Sequence, residues 1–107
     1  MNYADYFAGF KKRFKDVDVS NVKEHYAFQF NIEDEEAGGI FYVEVKDGSL
    51  YIEPYEYHDR DAMFTCTPEL LDKIVEKKQD PVTAFLTHKL KVEGNIDKAL
   101  KLKDFLP

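Results

Sequence analysis

Apolar residues recur along the chain first at helical spacing, then in alternation, then at helical spacing again. Tyr3, Phe7, Phe10 and Phe14 return at spacings of four, three and four, with Tyr6 beside them, the stripe of an amphipathic helix. Asn2 stands at its N-cap position and Asp5 in its first turn. Lys11, Lys12, Arg13 and Lys15 gather at the far end, so charge suits the helix dipole at both ends. The stretch from Asp16 to Lys23 reads as a link with a turn near Ser20.

Tyr26, Phe28, Phe30 and Ile32 then alternate with Ala27, Gln29 and Asn31, the period of a strand with one buried face. An acidic, glycine-containing turn follows at 33–39. Phe41, Val43 and Val45 alternate with Tyr42, Glu44 and Lys46 in a second strand. Asp47-Gly48 is a strong hairpin signal, and Leu50 and Ile52 open a third strand, so these three runs predict an antiparallel meander. Pro54 ends the third strand or marks an edge. After a polar, tyrosine-containing stretch at 54–61, the run 62–67 reads as a fourth strand.

Thr67-Pro68-Glu69 supplies a cap, a proline at the first helical position and an acid, which starts a helix. Leu70, Leu71, Ile74 and Val75 form its buried stripe. Asp80-Pro81 repeats that start, with Val82, Phe85 and Leu86 on one face. Leu90 and Val92 alternate with lysines in a fifth short strand that ends at Gly94. Asn95 caps a last helix carrying Ile96, Ala99, Leu100, Leu102, Phe105 and Leu106. Those positions spread over more than one face, wider than a single packing stripe. Either the helix packs on the sheet and is buried at its terminus, or it also closes an apolar cavity. Strands grouped together and helices mostly together mean α+β, and one apolar sheet face calls for cover on one side.

With 107 residues, the expectation is a single domain over 1–107 with one core. The formal charge of −6 disfavours nucleic acid as a partner. Residues 1–68 carry 7 basic and 14 acidic side chains, against 8 and 7 in residues 69–107. A solvated surface accounts for this; an uneven approach to an anionic membrane is the sharper alternative. Cys66 is the one cysteine, so no internal disulfide forms and nothing points to secretion. Met1-Asn2-Tyr3-Ala4-Asp5 lacks the regions of a signal peptide, no run suits a membrane span, and Phe105-Leu106-Pro107 is no peroxisomal address. A cytoplasmic location is expected.

Catalytic chemistry is weakly signalled. His58-Asp59-Arg60-Asp61 sets a histidine beside carboxylates, but adjacent residues of an extended segment point to opposite sides. Glu33, Asp34, Glu35 and Glu36 lack the ligand spacing of a calcium loop. Cys66 among β-prone residues reads as a small buried apolar group rather than a nucleophile. No nucleotide, hydrolase or zinc-protease motif is present.

The run Asp80-Pro81-Val82-Thr83-Ala84-Phe85-Leu86-Thr87-His88-Lys89-Leu90-Lys91-Val92-Glu93-Gly94-Asn95-Ile96 resembles the C-terminal signature of the sterol carrier protein-2 domain. That signature is a proline-started helix with an Ala-Phe pair, Lys-Leu-Lys-aliphatic-x-Gly, then a final helix with a Lys-Leu pair, here Lys101-Leu102. The aromatic alternation of Tyr26-Ala27-Phe28-Gln29-Phe30 is similar to the family's first strand, and the element order matches over nearly the whole chain. His88 departs from the glycine that often precedes the Lys-Leu-Lys.

The resemblance implies a five-stranded, mainly antiparallel sheet covered by helices. Between them it implies an apolar tunnel for fatty acids, acyl chains, sterols or similar lipids, with no cofactor. The expected lining residues are Phe28, Phe30, Phe41, Val43, Ile74, Val75, Phe85, Ile96, Ala99, Leu100 and Leu102. Lys101 and Lys103 could meet a carboxylate or phosphate at the mouth, with solvation as the plainer reading. Transient membrane contact accompanies such a carrier. Two alternatives stay open: an accessory or protein-interaction module whose core is filled by its own side chains, and an enzyme using Cys66 or His58.

Overall fold

A computed structural model describes residues 1–107. Helix α1 (Tyr3–Arg13) is capped by the Asn2 side chain, which accepts from the Asp5 N–H at 2.9 Å. Strands β1 (Tyr26–Ile32), β2 (Gly39–Lys46) and β3 (Ser49–Glu53) form the expected meander. Asp47 and Gly48 both have positive φ, 52° and 76°, as a two-residue type I′ hairpin turn demands. Strand β4 (Ala62–Cys66) is followed by α2 (Pro68–Val75), α3 (Pro81–Leu86), β5 (Lys91–Gly94) and α4 (Ile96–Ala99). The three later helices start on the predicted caps Thr67, Asp80 and Asn95, each accepting from a backbone N–H three residues on.

The sheet has the order β3-β2-β1-β4-β5. β1 and β4 run parallel, and the other neighbours antiparallel. The chain reaches β4 by carrying residues 54–61 back across the sheet, and Asp61 fixes where it arrives. Its N–H donates to the Ala27 carbonyl at 2.8 Å, and its carboxylate accepts from the Ala27 N–H at 2.9 Å. Its carbonyl accepts from the Asn95 N–H at 2.8 Å, and its Oδ1 lies 3.2 Å from Lys98 Nζ. One residue therefore ties β1, β4 and the start of α4 together. Gly94 makes this approach sterically available: a Cβ there would lie 2.6 Å from the Asp61 carbonyl oxygen.

Helices cover one sheet face. The other is not bare, and here the simple alternation misleads. Ala27 and Gln29 are buried as well as Phe28 and Phe30, because the 54–61 segment lies over them. The Tyr57 N–H donates to Gln29 Oε1 at 3.1 Å, and the Tyr57 hydroxyl donates to Glu44 at 2.6 Å. His25 Nε2 also lies 2.7 Å from that Glu44 oxygen. Hydrogen bonding to Glu44 and burial push the Tyr57 phenol up to about 12.

The helical face is dominated by rings. Phe30 stacks on Phe41 at 5.3 Å and on Phe64 at 5.1 Å between centroids, while Phe10 of α1 packs on Phe41 at 4.7 Å. Phe28, Phe30, Phe41, Val43 and Val45 are all but fully removed from solvent, each contributing roughly 1.5–3 kcal/mol of transfer free energy.

The last helix differs from its expected form. It is α-helical only through Ala99 and continues as a 3-10 segment, Leu100–Phe105. The tighter winding repeats every three residues, so Leu102 and Phe105 turn inward to the core together.

His88, where glycine is common in the similar family, adopts φ +63°. This left-handed conformation costs a non-glycine residue roughly 1–2 kcal/mol. His88→Gly is expected to raise unfolding free energy by about 0.5–1 kcal/mol after the added freedom of the unfolded glycine is deducted. Denaturant titration reads this, and a loss of stability would show that the imidazole makes an interaction outweighing the strain.

Candidate functional site

The helical layer is built from pieces of unequal reach. Over β1 and β2, α1 lays Phe7 and Phe10 onto the sheet, and Phe14 at its C-cap packs on Phe10 and helps fill the space. At the β4–β5 end, cover comes from α3, of six residues, and α4, of four. These short elements meet over Phe64 and leave a hollow of about 30 Å3. Its walls are Phe64 of β4; Pro81, Val82 and Phe85 of α3; Leu90 and Val92; and Ile96, Ala99 and Leu100 in the first turn of the last helix.

The hollow reaches the surface. Ile96 and Leu100, both in its wall, are 39% and 43% exposed, and neighbouring Leu86 is 68% exposed. Large apolar side chains open to water beside an apolar recess are the usual rim of a binding site for an apolar group. The volume holds about a water molecule or two, an order of magnitude below the roughly 300 Å3 at which drug-sized ligand sites begin. A long-chain guest therefore requires the walls to part.

The structure divides the expected lining residues into two groups. Phe85, Ile96, Ala99 and Leu100 come together on the wall of the hollow. Phe28, Phe30, Phe41, Val43, Ile74, Val75 and Leu102 are buried in the packed core and do not border it. Sequence reasoning missed Phe64, Pro81, Val82, Leu90 and Val92 as wall residues. The available signal was the alternation of Leu90 and Val92 beside the proline-started α3, which marks a small apolar surface with little sequence to cover it. Lys101 and Lys103 are exposed on the 3-10 segment.

Other clefts are larger, open and more polar. The widest, about 480 Å3, runs between the end of α1 and β3, lined by Lys11, Lys12, Lys15 and Ser49 above Phe14, Val17, Leu50 and Ile52.

The candidate catalytic residues are dispersed. His58 is exposed, whereas Asp61 is engaged by Ala27 and Lys98. Cys66 is buried and has no histidine partner, and burial, helped by the Glu33 charge, pushes its thiol up to about 12. It is a neutral thiol at physiological pH, whereas thiol nucleophiles react as thiolates. Four consecutive acids at 33–36 do not converge: Asp34 caps its own turn through the Glu36 and Ala37 N–H groups. No group of three potential metal ligands assembles anywhere in the chain, and no helix is long and apolar enough to cross a membrane.

Comparison with known proteins agrees with this architecture. The sequence model of the SCP-2 sterol transfer family matches residues 9–107. No curated protein matches the chain in sequence. Among solved structures, the sec-alkyl sulfatase PisA1, in a double-mutant form, superposes with a TM-score of 0.77 at 19% identity, covering 92% of this chain and 16% of that one. The chain thus spans about a sixth of that enzyme's length. Sterol Carrier Protein 2 Like 2 from Aedes aegypti superposes at 0.70 with 22% identity, covering 94% of this chain and 93% of that one. The palmitated form of SCP2L2 from Aedes aegypti gives 0.68 and 24%, with 99% and 95% covered. At these identities the likeness is one of fold.

Because Cys66 is shielded and protonated, its reaction with a disulfide reagent at pH 8 is expected to follow the rate of protein opening and to reach completion only in denaturant. Rapid labelling of the folded protein would contradict the burial described here.

Proposed function

As the chain belongs to the SCP-2 sterol transfer family, we propose that it is a non-catalytic carrier that takes an apolar ligand, a fatty acid, acyl chain, sterol or similar lipid, between its sheet and C-terminal helices. The observation that supports this most is the hollow beneath α3 and the first turn of the last helix, apolar throughout its wall, with Ile96 and Leu100 of that wall open to water.

Phe85, Ile96, Ala99 and Leu100 meet the guest first. The neighbouring core positions, among them Leu102, Ile74 and Val75, become its deeper contacts as the short C-terminal elements move outward. Such movement involves α4, of four residues, and the 3-10 segment that continues it.

The driving force is partition. Each buried methylene contributes about 0.8 kcal/mol, so a long acyl chain gains on the order of 10 kcal/mol before the costs of association and ordering remove several. An affinity near the micromolar range follows, which suits a protein that must also release its cargo. Release at a bilayer implies transient membrane contact.

One observation favours a second reading. The hollow is small and the aromatic core is closely filled, as an interaction module without a ligand would be. Ligand uptake separates the two. A long-chain fluorescent fatty acid is expected to bind saturably, and Leu100→Glu to weaken it about tenfold. Leu100 is 43% exposed, so the same substitution should lower stability by less than about 1 kcal/mol. Absence of saturable uptake for any lipid tested would remove the carrier reading and leave the self-filled module.

A further inference from the structure

The change from α to 3-10 winding after Ala99 has a geometric consequence. In a 3-10 helix residues i and i+3 eclipse one another, so Leu100 and Lys103 lie on one line, which continues to Leu106 just past the segment's end. Leu100 is in the wall of the apolar hollow. Lys103 and Leu106 line a separate groove of about 240 Å3, with Ile74, Lys77, Gln79, Asp80 and Pro81. Pro81 borders both spaces. The hollow and the groove therefore adjoin at Pro81, α3's first residue. On the 3-10 rise Leu100 and Lys103 are only about 6 Å apart along the axis.

The charge in the groove is lopsided. Lys77, from the turn after α2, and Lys103, from the 3-10 segment, approach it from different elements. Neither takes part in an ion pair, whereas neighbouring Lys78 is matched by Glu76 at 3.6 Å. The one acid in the wall, Asp80, caps α3: its Oδ2 accepts from the Thr83 N–H at 2.9 Å and from the Thr83 hydroxyl at 3.1 Å, which holds the carboxylate in place and leaves the lining one positive charge in excess. The floor beneath the lysines is apolar, made by Ile74, Pro81 and Leu106. Two ammonium groups outnumber the single carboxylate over apolar side chains, next to an apolar recess, a combination that suits a single-chain amphiphile with an anionic head.

We propose that the carrier's ligand is such an anionic amphiphile. Its carboxylate or phosphate head lies between Lys77 and Lys103, and its chain passes Pro81 and Leu100 into the hollow. This rests on the carrier reading and narrows it: a neutral, headless lipid forfeits the lysine contacts. Lys101, next to Lys103 but outside the groove lining, takes no part.

Isothermal titration of the full chain tests this with dodecanoate, dodecyl phosphate, 1-dodecanol and inorganic phosphate, each below its aggregation limit at low ionic strength. Two exposed charge contacts predict that dodecanoate and dodecyl phosphate bind about tenfold more tightly than 1-dodecanol. Inorganic phosphate alone should not bind measurably. In Lys77→Gln/Lys103→Gln the preference should shrink to within about twofold while 1-dodecanol affinity stays unchanged; in Lys101→Gln it should persist. Equal binding of acid and alcohol by the unmodified protein, or a preference that survives the double substitution, overturns the headgroup site and leaves the carrier reading standing. Inorganic phosphate binding as tightly as dodecyl phosphate overturns it too, since the site would then be a free-anion site. Failure of every chain-bearing probe to bind overturns both.

Discussion

The structure turns on how one apolar sheet face is covered. Five strands present a continuous apolar surface, and the chain has only short helical pieces to lay on it. Where α1 sits, the cover is complete: Phe7 and Phe10 meet Phe41, Phe10 also meets Phe30, Phe14 packs on Phe10, and little space remains. Where α3 and α4 sit, a six-residue and a four-residue helix meet over Phe64, and the cover is incomplete. Close packing is the norm in protein interiors, so a recess opening beside exposed Ile96 and Leu100 is the feature that asks for a functional account.

The position of that recess depends on a polar residue. Asp61 bonds to Ala27, accepts from Asn95 and pairs with Lys98. It thereby sets the parallel register of β4 on β1 and places α4 against the sheet's far end. A part-buried ion pair of this kind adds modest stability; its importance here is positional. It anchors the first turn of the last helix, while the 3-10 segment beyond is held by the buried side chains of Leu102 and Phe105.

Much of this was legible in the chain. The aromatic stripe of α1, the period of β1 and β2, the Asp47-Gly48 turn and the three later caps each follow from local chemistry, and local chemistry decides them. Three features depended on tertiary contacts. Ala27 and Gln29 are buried because a distant segment carrying Tyr57 folds over them, which alternation within β1 cannot reveal. The parallel pairing of β1 with β4 depends on Asp61 meeting Ala27. The 3-10 winding after Ala99 follows from turning Leu102 and Phe105 inward at the same time, although the residues themselves would support an α-helix. The site was half legible for the same reason. Hydrophobic period identifies which faces are buried but not whether two buried faces meet fully. Phe30 and Phe41 are matched by α1 and close up; Phe64, Leu90 and Val92 face shorter partners and do not.

The account's central claim is that a guest enters at the β4–β5 end, under α3 and the first turn of the last helix. Isotope-filtered nuclear Overhauser measurements on the protein saturated with a long-chain fatty acid address it most directly. The account predicts contacts from the acyl chain to the side chains of Val82, Leu90, Val92, Ile96 and Leu100. Contacts confined instead to Phe14, Val17, Leu50 and Ile52, in the open cleft beside α1, would contradict it.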